Sequence, residues 1–160
     1  MAHVLWRIAV DTPDYTADDL SGLGAERSGG RWNRKGSPML YGSETIALAC
    51  LETLVHLAGG DPLPLNRYLV RISVPESAWM TRTLFDLSTH VGWDAQPCGK
   101  VSLDWGSAWL RSESTLIAQV PSIVVPEESN LLINPTHADA VLVRAEKLRR
   151  WTYDLRLGKR

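Results

Sequence analysis

The chain has 160 residues, of which 44% are hydrophobic and 22% charged; this predicts one domain with a real core and excludes disordered, collagenous and coiled-coil classes. Seventeen Lys and Arg against eighteen Asp and Glu give a formal charge of −1, which argues against a surface built as a whole to trap nucleic acid. The balance is uneven, because residues 141–160 hold seven basic and two acidic side chains, a local +5 that leaves −6 for residues 1–140.

Leu5 to Val10 reads as a first strand, followed by a polar, glycine-bearing connection from Asp11 to Gly30 with room for one helical turn. Pro38 to Tyr41 is a short strand candidate. Ser43 is placed to cap a helix from Glu44 to about Ala58, closed by Gly59 and Gly60 with Pro62 beyond. Tyr68, Val70, Ile72 and Val74 alternate with Leu69, Arg71 and Ser73, the period of a half-buried strand. Asp104 to Ser112 suits a second helix. Leu116 to Val125 is β-rich but broken by Pro121, and Val141–Val143 and Trp151–Leu157 are candidate closing strands. Strands outnumber helices and do not alternate with them, so the expected class is α+β over residues 1–160, a single domain around a mixed or antiparallel sheet with a few helices. Seven tryptophans are read as core and rim residues.

Cys50 and Cys98 have no metal-type spacing, and HExxH and regular His/Asp ligand patterns are missing, so no metal is expected and a reducing, cytoplasmic setting fits. The short apolar run at the N-terminus is interrupted by Arg7, unlike a signal peptide, and no stretch approaches the ~18 apolar residues of a membrane helix.

On a helical wheel the segment after Ser43 is apolar in nearly every direction except one seam formed by Thr45, Glu52 and His56. A helix of that kind is expected to be buried on most sides, with its seam facing a cleft or a partner. A carboxylate there loses hydration and needs a cation, a donor or a ligand hydroxyl; an ordinary ion pair with an arginine meets the need as well. The stretch GLGAERSGGRWNRKGS brings Arg27, Arg31 and Arg34 beside glycine amides, an arrangement that suits an anion or, equally, plain turns. It is neither a P-loop nor a dinucleotide fingerprint. In VPSIVVPEESNLLINPTHAD, the polar residues Ser122, Asn130, Asn134 and His137 sit between prolines and apolar residues, which reads as a rigid polar loop. Without GxSxG, Ser122 is better suited to hydrogen bonding than to nucleophilic attack.

Four segments in order, Trp6-Arg7, GGRWN at 29–33, LYGSETIALACLE at 40–52 and VPSIVVPEESNLLINPTHAD at 120–139, resemble the RES-domain toxins of bacterial RES–Xre toxin–antitoxin pairs. The arginine, glutamate and serine of the family name match Arg31, Glu52 and Ser122, and Tyr41 matches a family tyrosine. Residues 76–115 carry nothing that aligns. The resemblance implies a fold similar to ADP-ribosyltransferases and a toxin that consumes NAD+ as substrate by cleaving its nicotinamide–ribose bond. Transfer of ADP-ribose to a defined protein is the alternative outcome. It further implies an Xre-type antitoxin as partner, a toxin homodimer within that complex, and no direct contact of this chain with nucleic acid.

The chemistry of the matched residues agrees with these roles. Cleavage develops oxocarbenium character on the ribose, which a fixed carboxylate such as Glu52 stabilises. Arg31 suits the pyrophosphate or ribose as a fork, Tyr41 the nicotinamide ring as a stacking face, and Ser122 and Asn134 the orientation of the ligand. A ribonuclease or a silent binding module with Arg31 and Glu52 ion-paired are the readings from other classes.

Overall fold

A computed structural model, describing residues 1–57 and 61–158, gives a seven-stranded mixed sheet carried by four short helices. The strands are β1 (Ala2–Val10), β2 (Leu40–Ser43), β3 (Arg67–Pro75), β4 (Thr83–Leu84), β5 (Ile117–Pro121), β6 (Ser129–Ile133) and β7 (Arg144–Arg150), and the helices α1 (Leu23–Ser28), α2 (Ile46–Leu54), α3 (Glu76–Met80) and α4 (Lys100–Ser112). In the sheet the order is β4-β5-β6-β2-β1-β3-β7, with β4–β5 parallel and the other pairs antiparallel. The α+β class expected from the strand-rich pattern is the one observed.

Strand alternation divides the core between the two faces of the sheet. One face carries Leu5, Leu40, Val70, Ile72, Ile117, Leu131 and Ile133, covered by Ala17 and Leu20 of the long connection and by Ala78 of α3. On the opposite face, Ala118, Val120, Leu132 and Tyr41 meet Trp32, Phe85 and Trp109, while Ile8 and Leu69 meet Ala49 of α2. β1 and β3 share a nine-residue register and β2 and β6 share four pairs, yet β1 and β2 are joined by one pair alone, Trp6 with Ser43.

Several boundaries differ from the sequence expectation for local reasons. The cap of α2 is Thr45, whose Oγ1 accepts from the Leu48 amide at 3.1 Å; Ser43 stays in β2, where its hydroxyl is engaged across the sheet. The helix ends at Leu54, four residues before Ala58, and the expected closure at Gly59 and Gly60 lies outside the described residues. It is also less buried than its wheel implies, because Leu51 and Val55 keep 37% and 49% of their surface exposed. The segment read as a polar loop contains β6: Leu131 and Ile133 fill one core and Leu132 the other, and the inward-facing Asn130 hides the alternation. The closing strand is neither Val141–Val143 nor Trp151–Leu157. A 3₁₀ turn, Ala138–Leu142, occupies the first position and β7 lies between the two. β7 is a charged edge, the composition that protects an exposed strand from further pairing. Its cations are engaged: Lys147 pairs with Asp11 at 2.8 Å, and Arg150 donates to the Leu65 carbonyl.

Helix α4 starts four residues before the expected Asp104, behind an extended Gly99 with no side-chain cap to announce it. Gly106 is where its backbone comes against the turn carrying Trp32. A Cβ there would lie 1.8 Å from the Trp32 carbonyl oxygen, so only glycine allows the helix to come so close. Trp105 and Trp109 then pack with Trp32, Phe85 and Trp93; Trp32 and Trp93 stack with centroids 6.1 Å apart.

Candidate active site

Glu52 lies at the end of the second turn of α2, half-buried, and its carboxylate reaches back to the sheet. Oε1 accepts two hydrogen bonds, from Ser122 Oγ at 2.7 Å and from Asn130 Nδ2 at 2.6 Å. No cation pairs with this carboxylate among the described residues, and Oε2 receives no hydrogen bond from them. Ser122 is completely buried, directly after β5, and its oxygen accepts from the Val124 and Val125 amides at 3.1 Å each. Its proton is therefore spent on Glu52, and the hydroxyl acts through the carboxylate. Asn130 is fixed from behind, where Ser43 Oγ donates to its Oδ1 at 2.7 Å across the β2–β6 register.

Tyr41 is two residues before Ser43 on the same face of β2, about 7 Å away at the strand repeat. Its hydroxyl donates to Asn33 Oδ1 at 2.6 Å and accepts from the Trp32 amide at 3.2 Å, which ties the strand to the turn carrying Arg31. Burial pushes the phenol well above its usual range, outweighing the hydrogen bonds that favour the anion. Asn33, fully buried, holds the turn through the Ala25 and Ser37 carbonyls. Gly30 is required there, since a Cβ would stand 2.7 Å from the Tyr41 hydroxyl oxygen.

The three arginines of the glycine-rich stretch differ in what they hold. Arg27 pairs with Asp14 and Arg34 with Asp104, both at 2.6 Å. Arg31 has no carboxylate partner among the described residues and makes no ion pair with Glu52. Its Nη1 donates to the carbonyls of Trp93 and Ala95, both at 3.0 Å, leaving the Nε and Nη2 edge of the fork with its own protons.

Glu52, Ser122 and Tyr41, with Arg31 at the end of the tyrosine, thus line one face of the sheet between α2 and the aromatic cluster. Asn134 is elsewhere, about 13 Å along β6 from Asn130 at the strand repeat. It is fully buried, its Nδ2 donates to Leu110 and its Oδ1 accepts from the Thr136 amide and hydroxyl. His56, in the seam with Glu52, is exposed beyond the end of α2, and His137 caps the 3₁₀ turn by accepting from the Asp139 amide. A separate open groove is lined by Arg34, Pro38, Ser107, Leu110, Arg111 and Thr136 and by none of Arg31, Tyr41, Glu52 and Ser122. Among the described residues no three His, Cys, Asp or Glu side chains come together as a metal site, and no helix is long and apolar enough to cross a membrane.

Sequence reading missed Asn130, Ser43 and Asn33 as members of this arrangement. Asn33 stood inside the GGRWN segment, and Asn130 stood out as an amide between apolar residues. Only the strand register brings Ser43 to Asn130.

The model of the RES domain family matches residues 4–156. A protein of Sphingobium sp. named "Prs ADP-ribosylating toxin" is 51% identical over 158 residues, covering 98% of both chains. Two proteins named "Toxin Res" are similar as well: that of Yersinia enterocolitica is 41% identical over 84% of this chain and 85% of its own, and that of Pseudomonas putida 35% identical over 86% and 88%.

Proposed function

This chain belongs to the RES domain family, and on that premise we propose that it is a toxin of ADP-ribosyltransferase type that cleaves the nicotinamide–ribose bond of NAD+ and passes the ADP-ribosyl group to a protein acceptor. The observation that carries the reading is the Glu52 carboxylate, held by two donors on one oxygen and paired with no cation among the described residues. Such a group is preorganised to stabilise positive charge that appears only at the transition state.

In the reaction, the bond between C1′ of the ribose and the pyridinium nitrogen breaks, and its electron pair leaves with neutral nicotinamide. No strong acid is needed for that departure. Positive charge on C1′ and the ring oxygen is met by Glu52 through the neighbouring ribose hydroxyls. The acceptor then bonds to C1′ and releases its proton. Arg31 offers its Nε/Nη2 edge to a phosphate oxygen pair, and Tyr41 offers a ring face to the nicotinamide. Ser122 acts by holding Glu52.

The resemblance to an ADP-ribosylating relative at 51% identity over nearly the whole chain favours transfer over the NAD+ degradation expected first from the sequence. Incubating the purified protein with NAD+ labelled on the adenylate, together with a lysate, separates the outcomes. Label on a protein band with stoichiometric free nicotinamide supports transfer. Nicotinamide without labelled protein hands the assignment to hydrolysis or phosphorolysis. No nicotinamide at all sinks the reading, and RNA cleavage under the same conditions replaces it with a ribonuclease. The partner is an Xre-type antitoxin that excludes substrate; one equivalent of it should abolish nicotinamide release, and full turnover in the stable complex would refute inhibition by obstruction.

A further inference from the structure

We propose that Asn130, set by Ser43, is a positioning residue for Glu52, fixing the carboxylate so that Oε1 is spent on the protein and Oε2 is the oxygen that meets the ribose. The proposal rests on the NAD+-cleaving reading above.

The geometry makes the arrangement directional. Ser43 is 4% exposed, and its hydroxyl has one proton, which it donates to Asn130 Oδ1 at 2.7 Å. That bond anchors the far end of the amide while its NH2 group meets Glu52 at 2.6 Å. A reversed amide would set oxygen against oxygen at the carboxylate, which can only accept, so Glu52 selects the orientation and the Ser43 hydroxyl, able to donate or accept, donates to the Oδ1 that this leaves facing it. Ser43 and Asn130 are paired residues in the β2–β6 register, so backbone hydrogen bonding holds the amide in place. Ser122 supplies the second bond to Oε1 from the turn after β5. Two donors from different elements stop the carboxylate rotating about its last side-chain bond; one donor leaves it a pivot. The competing reading is that Ser43 and Asn130 merely satisfy one another as buried polar groups.

The titratable groups near Asn130 are few. Glu52 faces it from α2, with His56 one turn further along. Glu128 accepts from Thr45, while Glu44 accepts from the Ser129 amide and from Gln119. Among the titratable groups of the described residues only Glu52 is bonded to Asn130, so a charge placed at residue 130 acts first on that carboxylate.

Asn130→Ala should lower kcat about 30-fold while KM for NAD+ stays within about threefold, because the substrate contacts remain and the aim of the carboxylate is lost. Asn130→Asp keeps the shape and the bond from Ser43 but sets two carboxylates face to face. A proton shared between them restores a donor to Oε1, so kcat of this variant should rise steeply as pH falls from about 8 to about 5, while Asn130→Ala stays low throughout. A purely structural role would lower both variants equally at every pH, in step with their thermal stability, and that result would overturn the proposal. Wild-type kcat in Asn130→Ala would overturn it too.

Two controls separate this proposal from the reading beneath it. Nicotinamide release by the wild type reports on the NAD+ assignment alone, and its absence sinks that assignment whatever the Asn130 variants do; Glu52→Gln measured in parallel reports on the carboxylate, and full turnover there would remove Glu52 from the chemistry and overturn the positioning role with it. The 13C carboxyl signal of Glu52, assigned by its disappearance in Glu52→Gln, reports on positioning without any turnover. It should move in Asn130→Ala and return toward its wild-type place in Asn130→Asp at low pH. A signal indifferent to Asn130→Ala would show that the amide does not hold the carboxylate.

Discussion

The two ends of the candidate site are built from opposite materials. Around Glu52 the protein uses small polar side chains, Ser43, Asn130 and Ser122, each with a proton committed. Around Arg31 it uses a wall of rings, Trp32, Trp93, Trp105 and Phe85, and fastens the guanidinium to two main-chain carbonyls. The difference follows from what each ion requires. A lone carboxylate accepts hydrogen bonds and can be aimed only by donors, whereas an arginine has five protons and can give two to a loop while keeping a charged edge for a ligand. The anionic end is therefore specified by a few hydrogen bonds and the cationic end by packing.

The sharpest break between the ends is Glu52→Gln. Glutamine can keep its Oε1 on the same two donors, so the fold should survive while kcat falls about 100-fold or more, as for other preorganised electrostatic groups. Nicotinamide release by a variant of unchanged melting temperature measures it, and near wild-type turnover would remove Glu52 from the chemistry.

Gly106→Ala attacks the other end through packing alone. With a Cβ directed at the Trp32 carbonyl, α4 must shift, at a cost of about 3 kcal/mol and roughly 10 °C in Tm for a domain of this size. A calorimetric scan showing less than about 2 °C of change would mean that the helix yields freely and that the aromatic wall is not rigid.

Arg31→Lys keeps the charge but cannot hold two carbonyls and present a planar edge at once. KM for NAD+ should rise about tenfold, and limited proteolysis should cut faster between residues 86 and 99, where the carbonyls of Trp93 and Ala95 lose their donor. Unchanged values for both would leave Arg31 without a part in either end.

Tyr41 joins the two ends, and removing its hydroxyl in Tyr41→Phe should cost about 1–2 kcal/mol, because Asn33 and the Trp32 amide lose their partner. The pH dependence has a definite sign. Burial raises the folded-state pKa of this acid above the unfolded value of 10.0, so its contribution is intact below about pH 10. Above that, the unfolded chain ionises first and stability falls. Urea midpoints should drop more steeply above pH 10 for the wild type than for Tyr41→Phe; parallel curves would show that Tyr41 ionises as freely folded as unfolded.

The same contrast explains what could be read from sequence. β1, β3 and the fold class were legible because aliphatic alternation is strong there and each strand has a buried face. Glu52, Arg31, Tyr41 and Ser122 stood out as chemistry-bearing residues in ordered motifs. β6 was hidden by the inward Asn130, and β7 by being a charged edge with little apolar signal. The aromatic wall, drawn largely from residues 76–115, was invisible because ring packing leaves no period in the chain. α4 lacks a capping side chain, and nothing marks Gly106 as the point of contact with Trp32. The Ser43–Asn130–Glu52 chain joins three separate elements, and only the β2–β6 register puts them side by side.

The one-rung junction of β1 and β2 makes the sheet two ribbons, β4-β5-β6-β2 and β1-β3-β7, and α2 straps them together. Ala49 of the helix rests on Ile8 and Leu69 of the second ribbon, while Glu52, three residues on, is bonded to Ser122 and Asn130 of the first. Shear between the ribbons meets little resistance from a single backbone rung, so the shared core and the strap bear it. The helix residue that would feel such sliding is Glu52, whose two short bonds act as the fastening on one side. The aim of one carboxylate is thereby tied to how the two ribbons sit against one another.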